Sequence, residues 1–138
     1  MKIRYDFVTN SSSTSYIIIN DGEFNLKMFM DAVGIDASSP FQDIYQELFR
    51  SFESGMEPAR KAYLKDHYHK SDFFAWIEGR FVNGKQLAER VKSAEDSGKQ
   101  VYYGTLSSDQ GPVEGFFCTD SFIIDTEKLY IDAVQDGW

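Results

Sequence analysis

The stretch "YIII", Tyr16–Ile19, sets four large apolar residues side by side, three of them β-branched. Consecutive apolar positions give both faces of a strand something to bury, so the run reads as an interior strand covered on both sides. "NDG" at Asn20–Gly22 then turns the chain. Upstream, Lys2, Arg4 and Asp6 alternate with Ile3, Tyr5 and Phe7, the period-two pattern of a half-buried strand. Between the two lie Thr9, Asn10, Ser11, Ser12, Ser13, Thr14 and Ser15, seven polar residues in a row.

Helical signals fill the middle of the chain. "NLKMFMDAVG" opens at a cap, Asn25, and stops at Gly34. Ser39, Pro40 and Gln42 form a capping-box start, with proline at the first helical position. Phe41, Ile44, Tyr45, Leu48, Phe49 and Phe52 then make one broad apolar stripe that ends at Gly55. A more polar helix runs from Pro58 to about His69, with Ala62, Tyr63 and Leu64 as its inner contacts. "SDFFAWIEG" is a short aromatic helix capped by Ser71. "NGKQLAERVKSAEDSG" runs from cap Asn83 to Gly98 and turns Leu87, Val91 and Ala94 inward.

Strands return in the last third: "QVYYGTL", "PVEGFFC", "SFIID" and "KLYIDAV", the last two joined by a tight turn at Thr126 and Glu127. Strands at both ends with helices between them predict an α+β fold. The expected architecture is a mainly antiparallel sheet of amino- and carboxy-terminal strands, with a block of about five helices packed on one face. No linker, repeat or charge run divides the chain, so one domain is expected over residues 1–138: strand–loop–strand to 20, helices over 24–98, and strands over 100–135.

Composition narrows the function classes. The chain carries 22 acidic and 14 basic residues, a net charge of −8. That balance disfavours nucleic acid and anionic membranes, both of which select a basic footprint, and it suits a protein partner, a basic one included. Aromatic residues make up 16%, too much bulk for a disordered chain. The one cysteine, Cys118, excludes an internal disulfide and reads as a small buried hydrophobe. No signal-peptide pattern or bilayer-length apolar run occurs, so a cytoplasmic protein is expected.

The hydroxyl run is the first place to look for chemistry. A phosphate loop needs glycines for close backbone approach and a lysine for charge, and "VTNSSSTSY" has neither. A serine nucleophile needs a paired base, and no SxxK or GxSxG pattern is present. Ser, Thr and Asn satisfy local backbone in turns, so a connecting loop is the expected role. Asn10, Ser11, Ser12, Ser13, Thr14 and Ser15 stay the candidates for a ligand or modification site.

Two histidines, His67 and His69, flank Tyr68 beside Asp66. Two-residue spacing turns them apart on a helix, and zinc sites take three or four ligands, so they are minor metal candidates. Glu114, Asp120, Asp125, Asp132 and Asp136 gather in the last strands and turns without a calcium-loop spacing. The residues assign no catalytic group and no cofactor.

"MKIRYDFVTNSSSTSYII" resembles the amino-terminal signature of many small bacterial and phage proteins: a short basic strand, "FV", Asn, and a serine run ending in an aromatic. The likeness covers roughly the first 19 residues, and Thr9, Thr14 and Tyr16 vary the commoner serine and phenylalanine form. It implies a bacterial or phage origin and a shared processing or recognition event at this start. It carries over no catalytic residue. The expected function is therefore a non-enzymatic protein-binding or regulatory module. The alternative is a small ligand-binding protein or enzyme with a polar pocket lined by residues 9–15.

Overall fold

A computed structural model describes residues 13–36, 38–66, 72–107, 113 and 122–135. The elements run β1 (Ser13–Asn20), α1 (Leu26–Val33), α2 (Gln42–Gly55), β2 (Glu57–Pro58), α3 (Ala59–Lys65), α4 (Phe73–Arg80), α5 (Gly84–Asp96), β3 (Gln100–Ser107), β4 (Phe122–Asp125) and β5 (Leu129–Gln135). The fold is α+β. Among the described residues, five strands form one antiparallel sheet in the order β2-β3-β1-β5-β4.

The apolar run at residues 16–19 sits in the central strand. Ile17 faces Tyr103 on β3 and Asp132 on β5, and Ile18 faces Tyr102 and Ile131. Because side chains alternate along a strand, Tyr16 and Ile18 enter one core while Ile17 and Ile19 enter another. The first core joins Phe29 and Met30 of α1 and Leu48, Phe49 and Phe52 of α2 to Leu106, Leu129, Ile131 and Ala133 of the sheet. The second joins α3, α4 and α5, through residues such as Ala62, Trp76 and Val91.

The described helices therefore lie on both faces of the sheet, α1 and α2 on one side and α3, α4 and α5 on the other, and the expectation of a single covered face is corrected. Burial explains it. Each large apolar side chain taken out of water contributes about 1.5–3 kcal/mol, so a central strand apolar on both sides needs a layer on each.

Several local signals act as read. Asn25 accepts the Met28 N–H at 2.9 Å, and Gly34, with φ 76°, closes α1 in the left-handed conformation that glycine adopts without strain. Thr126 closes the β4–β5 hairpin, its N–H donating to the Leu129 carbonyl at 2.8 Å.

Others shift. Ser39 Oγ accepts from Phe41 N–H at 3.1 Å, so the serine bonds within a turn and α2 begins later, at Gln42. Asp72 rather than Ser71 caps α4, its Oδ1 accepting from Ala75 N–H at 2.8 Å. On α3 the inner contacts are Ala59, Ala62 and the partly buried Tyr63, which packs against Phe73 and Trp76, while Leu64 is 73% exposed. Only one side of so short a helix meets the sheet, and Leu64 falls off it. The strand expected at residues 2–8 lies outside the described residues, as do His67, His69 and, apart from Val113, the strand expected at 112–118.

Candidate functional site

The hydroxyl run does not end where the strand pattern suggests. β1 begins at Ser13, and Thr14 and Ser15 are buried strand residues between β3 and β5, not part of a polar loop. The strand ladder on either side takes up their backbone groups, which lets short hydroxylated side chains occupy a central position. Ser15 Oγ lies 3.2 Å from the Tyr103 hydroxyl. Asn10, Ser11 and Ser12 lie outside the described residues.

Tyr103 links Ser15 to a second polar group. Arg80 Nη1 donates to the Tyr103 hydroxyl at 3.4 Å, and Arg80 Nη2 donates to Asp66 Oδ2. Asp66 Oδ2 also accepts the Trp76 indole N–H at 2.7 Å, and the Arg80 guanidinium sits 5.0 Å from the centre of the Trp76 ring. Burial pulls the guanidinium pKa down, but the hydrogen bond to Asp66 and the contacts with Tyr103 outweigh it and leave Arg80 raised. The metal candidates next to Asp66 in the sequence, His67 and His69, lie outside the described residues. In the structure Asp66 bonds both Trp76 and Arg80.

On the same face of the sheet, but toward β4, a cleft of about 600 Å³ opens between α5 and the β4–β5 hairpin. Its floor is Ile19, Leu129 and Tyr130; Arg90 and Ser93 of α5 form one wall, and Lys99 and Lys128 stand at the sheet end. The volume lies within the range of small-molecule sites. Arg90 is fixed from two sides: its guanidinium carbon is 4.1 Å from the centre of the Tyr130 ring, and Nη2 is 3.7 Å from Asp125 Oδ2. A second cleft of about 460 Å³, lined by Asn25, Lys27 and Met28, shares Thr126, Glu127 and Lys128 with the first. Neither is lined by Thr14 or Ser15.

Behind Tyr130 lies a buried acid. Asp132 is 0% exposed, and its Oδ2 accepts from Asn83 Nδ2 at 2.7 Å and from the Tyr130 hydroxyl at 2.9 Å. The other oxygen, Oδ1, and the Asn83 Oδ1 are both buried without a hydrogen-bond partner. Burial, followed by the bond to Asp132, pushes the Tyr130 phenol up to about 12. Of the carboxylates singled out in the sequence, Asp125 and Asp132 lie on one face of the hairpin, since Asp125 pairs with Tyr130 and Ile123 with Asp132. They are joined through Tyr130 and Arg90 and not directly. Glu114, Cys118, Asp120 and Asp136 lie outside the described residues.

Sequence reading missed Arg90, Lys99, Lys128 and the side-chain role of Asn83. Asn83 reads as a helix cap, but its amide leaves that place and bonds Asp132, and no side-chain bond caps α5. Among the described residues, no group of three or more His, Cys, Asp or Glu side chains is placed to hold a metal ion. No described helix is long and apolar enough to cross a membrane. Comparison with protein-family models, with curated proteins and with solved structures finds no match in any of the three.

Proposed function

We propose that the chain is a small cytoplasmic binding or regulatory module whose role is to engage a protein partner through its surface, without chemistry of its own. The observation that supports this is the course of the apolar stripe of α2. Leu48, Phe49 and Phe52 are buried, yet Ile44, one turn before Leu48, and Phe41, the residue just before the helix, are 37% and 56% exposed. The stripe runs past the core that it helps to form.

Large apolar side chains placed together on a surface are the material of a protein contact. The net charge of −8 directs such contact toward basic or neutral proteins and away from nucleic acid. The test is the double variant Phe41→Ala, Ile44→Ala. Pull-down and light scattering should show an associated protein, or a larger species, with the natural chain. The variant should lose it while its melting temperature stays within a few degrees. A strictly monomeric natural chain that retains no partner, or equal retention by the variant, would overturn the reading.

A further inference from the structure

The cleft between α5 and the β4–β5 hairpin has a charge balance unlike the rest of the chain. Across the whole sequence acids outnumber bases, 22 to 14. In the cleft lining the order reverses: Arg90, Lys99 and Lys128 stand against Glu89 and Glu127. Lys99 and Lys128 form no ion pair among the described residues, as is also true of Arg50, Lys61, Lys85 and Lys92, so their charge is not already neutralised.

The two lysines reach the cleft by separate routes. Asn20, the last residue of β1, pairs with Gln100 on one side and Leu129 on the other. Lys99 and Lys128 each stand one residue before those partners, so the ladder brings both to the same end of the sheet. Arg90 faces them from α5 with its plane held against Tyr130. A guanidinium oriented by a ring and an acid keeps further N–H groups for an oxyanion.

We propose that this cleft binds a small, compact anion, a phosphate or a carboxylate. Lys99 and Lys128 supply charge and Arg90 supplies directed donors. Ser93 and Ser97, on the same wall, offer hydroxyls to the remainder of the ligand. Thr126 is committed to the hairpin, since its hydroxyl donates to the Leu129 carbonyl at 3.0 Å and accepts the Leu129 N–H at 3.1 Å. Glu89 and Glu127 limit the site to a compact anion, because an extended polyanion would meet them and the acidic surface beyond. This inference is independent of the protein-docking surface on α2.

The experiment titrates the intact chain with inorganic phosphate and, separately, with succinate at constant ionic strength, following melting temperature and heat. Phosphate at high concentration stabilises folded proteins by exclusion from their surface, so the decisive signs are saturation and dependence on the two lysines. The expected result is a saturable response to one of the probes that weakens at least tenfold in Lys99→Ala, Lys128→Ala and persists in the control Lys85→Ala, an exposed α5 position outside the cleft. Response to phosphate or to succinate separates the two kinds of oxyanion. A shift that never saturates, one equal in the double variant, or silence with both probes would overturn the proposal.

Discussion

Gly104 stands directly across the β1–β3 ladder from Tyr16, and the Tyr16 ring occupies the space that any side chain at 104 would need. A Cβ at this position would overlap the ring and its hydroxyl, and it would also lie 3.0 Å from the carbonyl oxygen of Gly55 at the end of α2. Tyr16 is completely buried, packing edge-on against Phe52 with ring centres 4.8 Å apart. The glycine is thus what lets an aromatic side chain lie flat across its own sheet under a helix.

Gly104→Ala should destabilise the fold by about 1–3 kcal/mol, the usual cost of overpacking a tight core. Urea denaturation should show a lower midpoint with an unchanged slope. Tyr16→Ala should cost about 3–5 kcal/mol by itself, within the range for large aromatic-to-alanine changes. The double variant should be less destabilised than the two singles added together, because removing the ring removes the clash. Strict additivity would contradict the packing described.

Asp132 and Asn83 make a second, opposite prediction. Their side-chain ends adjoin, and each keeps one buried oxygen without a partner. Asp132→Ala removes the acceptor of both Asn83 and Tyr130 and should cost about 2–4 kcal/mol. Asp132→Asn keeps an acceptor, removes a buried charge and replaces one unmatched oxygen with N–H donors, leaving the Asn83 Oδ1 as the other. It should change stability by less than about 1 kcal/mol, in either direction. Equal losses for the alanine and asparagine variants in the same denaturation experiment would show that the retained acceptor does not take over the pairing.

Tyr130 gives a pH dependence. Its phenol is raised from 10.0 to about 12 by burial and by its bond to Asp132. The folded state holds this proton more tightly than the unfolded chain does, so the associated stability is fully present below pH 10. It is lost as pH rises through 12. Chemical denaturation midpoints should fall across that window, and ultraviolet titration should show a tyrosine ionising later than the solvent-exposed ones. Tyr130→Phe should remove the late ionisation and flatten that part of the stability profile. An unchanged titration curve in the variant would assign the late group elsewhere.

Short-range information settled a good part of this structure. The α+β class follows from strand patterns at both ends and helical ones between. The limits of α1 follow from Asn25 and Gly34, and the β4–β5 hairpin from its turn residues, because caps and turns are made by neighbours in the chain. The candidate sites were less legible. Ser15 meets Tyr103 across a separation of 88 residues, and Asn83 meets Asp132 across 49.

Only packing decided which faces were covered. The same periodicity marks Phe41 and Phe52 as one stripe, yet the sheet and α1 reach only the later turns. The hydroxyls of Thr14 and Ser15 look like loop residues, yet two flanking strands enclose them. Lys99 and Lys128 have no local pattern at all, and strand pairing alone puts them at one cleft. Periodicity states which side of an element is apolar; what lies against that side is set by contacts between distant parts of the chain.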